Sequence, residues 1–204
     1  MLSSNQQIPF LSDDFLLKNK FSQQLFHGYA KELPIIDYHN HLSPAEIASN
    51  RKFENITDLW LAGDHYKWRA YTLRNPLFHW SALELKRYFG IDELLNPSNA
   101  SQIFAETKAT LQQEPFRVRG LLQHMQVEVV ATTDDPTDSL EHHLAFHQEG
   151  TSLQLYPTFR PDKAFGIEQP EHYKAYLQKL GLVVGFEVNS FDTLMDALLN
   201  RMDY

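Results

Sequence analysis

Leu33-Pro34-Ile35-Ile36-Asp37-Tyr38-His39-Asn40-His41-Leu42-Ser43 is the stretch that decides the fold. Ile35 and Ile36 are apolar and β-branched, and Pro34 suits the first position of a strand. The run therefore reads as a short buried strand that ends in two histidines. Side chains alternate along a strand, so the spacing predicts His39 and His41 on the same side. Two imidazoles at one strand end form part of a shell for a divalent metal such as zinc. Asp37 falls on the same face, where a carboxylate can orient a liganding imidazole.

Outward from this stretch, the chain continues into Ser43-Pro44-Ala45-Glu46, a capped helix start, with a short helix over 44–50. Upstream, residues 1–12 are a polar arm, and Ser12-Asp13-Asp14 caps an amphipathic helix expected over 13–31. Downstream, helical turns are expected over 57–62, 76–88, 98–113 and 116–125, with Gly63 and Gly90 as breaks. A second strand follows at Val127–Thr133 and ends in Asp134-Asp135-Pro136, with a helix over 139–148. Leu153–Pro157 is the third strand, ending at Thr158-Phe159-Arg160. Glu171–Leu180 reads as a helix closed by Gly181, and Leu182–Val188 has the composition of a short strand. Strands alternating with helices predict an α/β fold with a parallel sheet, whose active site lies at the carboxyl ends of the strands. His39, His41, Asp134, Asp135 and Arg160 all fall there.

Composition narrows the function classes. The chain has 204 residues, 43% of them hydrophobic and 22% charged, as in ordinary globular domains. A net charge of -8 without a long basic run argues against a nucleic-acid partner and favours a small-molecule enzyme. With no cysteine, a metal site must use nitrogen and oxygen donors, and no disulfide framework exists. No apolar run reaches roughly 18 residues and no signal-like core opens the chain, so the expectation is a cytoplasmic protein without a membrane partner.

Ile35-Ile36-Asp37-Tyr38-His39-Asn40-His41-Leu42 resembles the first barrel strand of the amidohydrolase superfamily. Further motifs resemble the uronate (glucuronate/galacturonate) isomerases: Gly63-Asp64-His65-Tyr66-Lys67-Trp68-Arg69, Asn75-Pro76-Leu77-Phe78-His79-Trp80, Thr132-Thr133-Asp134-Asp135-Pro136 with Ser139–His143, and Phe159-Arg160-Pro161-Asp162-Lys163-Ala164-Phe165. They occur in the family's order over nearly the whole chain.

The resemblance implies the N-terminal half of a metal-dependent-hydrolase-like (β/α)₈ TIM barrel with a helical insertion after the first strand. The expected divisions are 1–43 (helix and first strand), 44–125 (helical insertion or cap) and 126–204 (continuing barrel units). A full barrel needs about 250 residues, so the rest lies outside this sequence, including the last-strand aspartate that binds metal in the superfamily. Relatives also carry extra residues between Arg74 and Asn75, and a loop in place of a strand before the helix at 190–202.

For chemistry, the resemblance implies a uronate isomerase that interconverts D-glucuronate with D-fructuronate, and D-galacturonate with D-tagaturonate, by enediol-type proton transfer. His39 and His41 are then metal ligands, with zinc expected. His65 and Tyr66 are the catalytic pair, and Arg160 and Arg69 the substrate contacts. A hexuronate is the expected partner, and homo-oligomerisation is left open. Two rival readings stand beside this one: a metal-dependent hydrolase on the same histidines, and a non-catalytic fragment of the fold. The residues themselves admit blander roles. Arg160 can serve an ion pair with Asp162, Arg69 one with Asp64, and His65-Tyr66 an aromatic cluster with Trp68. Asp134 and Asp135 suit helix capping, His79 and Trp80 suit packing, and the adjacent His142 and His143 face different ways on a helix.

Overall fold

A computed structural model of the chain describes residues 11–63 and 76–204. It divides into two compact units, one of residues up to Pro34 with Asn50–Gln126, the other of Ile35–Ser49 with Val127–Tyr204.

The first unit is helical. Asn19 caps α1 (Lys20–Leu25) through a reciprocal bond with Ser22, and a π-turn over Phe26–Ala30 continues it. The helix expected over 13–31 is therefore shorter; residues 12–17 form turns instead, with Leu16 at a positive φ of 68°. Three further helices, α3 (Ile56–Leu61), α4 (Pro76–Phe89) and α5 (Ala100–Leu111), precede α6 (Val118–His124). Their inward faces bury Ile56, Leu85, Ile103, Leu111 and Leu121. Gly90 follows α4 at φ 70°, the left-handed geometry that glycine accepts at a helix end.

The second unit carries the sheet. Strands β1 (Ile35–Asp37), β2 (Val127–Asp134) and β3 (Gln154–Phe159) lie parallel in that order. Register pairs Val130 with Leu155, and both are buried on the face where α7 (Glu141–Gln148) packs, with α2 (Pro44–Ala48) against α7. Ala131 pairs with Tyr156 on the opposite face. Arg160 donates its backbone N–H to the Asp134 carbonyl at 3.0 Å. Backbone groups alternate in direction along a strand, so Leu155, Pro157 and Phe159 turn theirs to the free edge of β3. Pro157, which has no N–H, sits where an edge tolerates it.

Helix α8 (Pro170–Val184) runs through Gly181 and ends at Gly185, at φ 82°. The residues expected as a strand from Leu182 are thus helical to Val184 and then loop into α9 (Phe191–Met202), where Ser190 and Thr193 form a capping box. Gly181 is required for another reason: a Cβ there would stand 2.8 Å from the Phe186 carbonyl oxygen. The chain folds back so closely that helix propensity and glycine coexist. Tyr176, Leu180, Val188, Leu194, Ala197 and Leu198 form the core between α8 and α9. Among the described residues no helix is long and apolar enough to cross a membrane.

Candidate functional site

Although β2 continues beside the residues that follow it, β1 is short. It ends at Asp37, and His39 and His41 lie in the loop beyond it. That loop is nonetheless tied to the sheet. Asn40 donates its N–H to the Ala131 carbonyl at 3.2 Å, and its own carbonyl accepts the Thr133 hydroxyl at 2.5 Å. The Asn40 side chain accepts from the Leu42 N–H at 3.0 Å, closing a tight turn between the two histidines and Ser43. Strand alternation places side chains i and i+2 together. Here the anchored Asn40 does so, with the His39 and His41 rings 5.3 Å apart at 86°.

Both rings are exposed. Two neighbouring neutral imidazoles are suitable nitrogen donors for zinc or a similar ion. Among the described residues no group of three or more His, Asp or Glu side chains converges on one point. The pair thus fits as part of a ligand shell, and the remaining donors must come from elsewhere.

Arg160 stands just past the end of β3. Its Nε donates to Asp162 Oδ2 at 2.6 Å, and both side chains are well exposed. The ion-pair role open to this arginine in the sequence is therefore occupied. Asp135 accepts from the N–H and the hydroxyl of Thr137, at 2.9 and 2.7 Å, and meets Lys163 at 3.2 Å. Burial pulls its carboxyl upward, but those bonds and the ammonium outweigh it and hold the group below the usual carboxylate range. Asp138 in turn accepts the Asp135 N–H at 2.9 Å. These carboxylates fix the turn 135–138; they do not cap α7, which starts after Leu140 at φ 56°. His65, Tyr66 and Arg69 lie outside the described residues.

One cluster escaped the sequence reading. The Thr132 hydroxyl, fully buried, lies 2.8 Å from Asp134 Oδ2 and 2.7 Å from His143 Nε2. It also reaches the Tyr156 carbonyl at 3.3 Å. A hydroxyl has one proton, and both the carboxylate and the carbonyl can only accept it. Nε2 of His143 must therefore donate, which leaves Nδ1 as a bare lone pair, buried and without a hydrogen-bond partner. The signal was present: Thr132 and Asp134 share a strand face, and His143 shares a helix face with buried Phe146. His142, as expected for its neighbour, faces outward, 3.8 Å from Glu141.

Burial holds His143 below the ordinary imidazole value, opposed by Asp134 at 3.8 Å and Asp138 and reinforced by His142. Its folded-state pKa lies below the unfolded one, so the unfolded chain binds the proton first on acidification. The resulting stability is complete above about pH 6.5 and declines as pH falls below that. Urea unfolding of wild type and His143→Gln at about pH 7.5 and 5.5 should show the smaller acid loss in the variant. Equal losses would mean that His143 takes up its proton as freely folded as unfolded.

The glucuronate isomerase family profile matches the chain in two segments, residues 8–74 and 70–204. The uronate isomerase of Lachnospira eligens is 46% identical over 225 positions, and that of Bacteroides thetaiotaomicron 41%. Each alignment covers 96% of this chain and 48% of the relative, so the chain spans about half the length of the curated relatives it matches. The crystal structure of uronate isomerase from Thermotoga maritima superposes with a TM-score of 0.87 at 30% identity, over 95% of this chain and 49% of that one. Glucuronate isomerase from Caulobacter crescentus gives 0.79 at 26% identity, over 92% and 47%. The three parallel strands thus match half of a TIM-barrel enzyme, and by sequence and by fold the chain belongs to the glucuronate (uronate) isomerase family.

Proposed function

We propose that this chain supplies one half of the active site of a uronate isomerase that interconverts aldo- and keto-hexuronates. The observation that carries the reading is the paired, exposed His39 and His41 at the carboxyl end of β1, on a chain of this family. Because the chain spans about half of its relatives, turnover is assigned to the enzyme assembled with the remaining half.

Isomerisation moves a proton between C1 and C2 of the open-chain sugar. It requires a base at the C–H bond and a positive partner for the enediolate oxygens. His39 and His41 would hold a divalent ion, zinc in our reading. When bound, such an ion stabilises negative charge on the sugar oxygens. His65 and Tyr66 carry the groups suited to passing protons among those oxygens, and Arg69 to binding them.

Arg160 is assigned to the substrate's carboxylate, which its planar guanidinium can grip with two parallel bonds. Asp162 now occupies it, but the pair is well exposed and contributes at most about 1 kcal/mol. Exchanging one carboxylate for another is therefore cheap, and Asp162 keeps the fork oriented until substrate arrives.

A coupled reduction assay on the assembled enzyme tests the reading: glucuronate and fructuronate should interconvert. A charge-assisted bond of this kind is worth about 1.5–3 kcal/mol, so Arg160→Met should lower kcat/KM by about one to two orders of magnitude. Lysine should restore only part, since it lacks the fork. Near-wild-type kinetics in Arg160→Met would remove this residue from the site. Amide or ester hydrolysis without uronate turnover would overturn the isomerase reading in favour of a hydrolase on the same histidines.

A further inference from the structure

We propose that Thr133 is a positioning residue for the His39–His41 pair, fixing through the Asn40 carbonyl where His41 stands relative to His39. The inference rests on the reading of those histidines as ligands of a divalent ion, and adds to it the residue that sets their spacing.

A peptide bond is planar, so fixing one of its polar groups fixes the whole unit and the α-carbons at its two ends. Two such units separate His39 from His41. The first carries the Asn40 N–H, which donates to the Ala131 carbonyl at 3.2 Å. The second carries the Asn40 carbonyl, which accepts the Thr133 hydroxyl at 2.5 Å. Each unit between the histidines is thus tied to β2. The two ties differ in kind. The first joins main chain to main chain and depends on no side chain; the second depends on a hydroxyl at position 133. Without it, the unit that ends at the His41 α-carbon is free to turn, while the unit that begins at His39 stays in place.

The rest of the loop does not replace that bond. The ladder between β1 and β2 ends at Asp37. The Asn40 side chain accepts from the Leu42 N–H at 3.0 Å, a bond inside the loop itself. Its Nδ2 is buried and has no hydrogen-bond partner among the described residues. Adjacent residues of a strand face opposite ways, and β2 uses both of its threonines. Thr132 turns toward α7, where its hydroxyl meets Asp134 and His143. Thr133 turns the other way, to the histidine loop. One hydroxyl serves the packing behind the strand, and its neighbour serves the ligand pair.

The test measures the zinc affinity of the assembled enzyme by competition with a chromogenic chelator, alongside urea unfolding. Groups that orient a metal's ligands without touching the ion change its affinity by about 10–100-fold when removed, so Thr133→Val should weaken zinc binding about tenfold or more. Thr133→Ser keeps the hydroxyl and loses only a methyl group, and should retain most of the affinity. Thr132→Val should lower stability and leave the zinc affinity of the folded enzyme near wild type. Excess zinc should return kcat of Thr133→Val toward wild type, because the hydroxyl sets the ion's place and takes no part in proton transfer. If Thr133→Val does not fold, Thr133→Ala and Thr133→Ser carry the same comparison. Wild-type zinc affinity without the hydroxyl, a loss that serine does not repair, or an equal loss in Thr132→Val would each overturn the proposal. His39→Ala/His41→Ala separates that failure from failure of the underlying reading. If the double variant keeps its zinc, the ion lies elsewhere, and the ligand reading falls together with the proposal. If it loses zinc and Thr133→Val does not, the positioning role alone falls.

Discussion

Replacing His39 and His41 together with alanine should strip stoichiometric zinc from the assembled enzyme and lower kcat/KM by about 10²–10³-fold or more. The rings stand 5.3 Å apart on a loop pinned to β2 through Asn40, so the backbone brings the two imidazoles close together. Pairing of this kind makes each imidazole's loss severe, since the survivor alone cannot define the ion's position. Elemental analysis of wild type and the double variant, prepared side by side, measures the first effect; the coupled uronate assay measures the second. Equal metal in both preparations would place the ion elsewhere. In the free chain the same histidines should bind cobalt(II) weakly, because two protein donors fall short of the usual three.

Thr132→Val should destabilise the protein by about 2–4 kcal/mol although the two side chains have nearly the same shape. Its hydroxyl is the hub between Asp134 Oδ2 and His143 Nε2, and both would be left in a buried site without their partner. Losing one partner of a buried polar group costs more than the bond itself contributed. The test is a double-mutant cycle in urea. Thr132→Val combined with His143→Leu should lose less than the sum of the single changes, because the second substitution removes one of the orphans the first created. Strict additivity would show that the three side chains do not act as a unit.

How far these features could be read in the sequence depends on the range of the interactions behind them. β2 and β3 were legible because their apolar runs end in turn-forming residues, and α2 because Ser43 announces its start. The end of α8 was not. Gly181 carries the usual stop signal, but it serves a close backbone approach at Phe186, a contact between residues that local propensity does not encode. The first helix was overestimated for a related reason: its apolar spacing through Phe15 and Leu16 is satisfied by turns rather than by a helix. At the candidate site, the proximity of His39 and His41 followed from spacing, while its cause did not. A strand was expected to align them, whereas a side-chain turn at Asn40 does. The Thr132–Asp134–His143 cluster needed the sheet's packing against α7: the spacing puts His143 on the face of Phe146, but only the packing brings that face to Thr132 and Asp134.

Pro157 has a consequence for the edge that β3 presents among the described strands. A bare parallel edge offers a continuous ladder that any extended peptide can lengthen, which is how cross-β aggregates grow. On β3 that ladder is interrupted in its middle, because the outward-facing residue there is the one without an N–H. An arbitrary strand adding to this edge would bury a carbonyl that finds no donor opposite it, at a cost of about 1–3 kcal/mol. A single imino acid thus acts as a gatekeeper, admitting a neighbour whose backbone is shaped to the gap and discouraging growth by indiscriminate stacking.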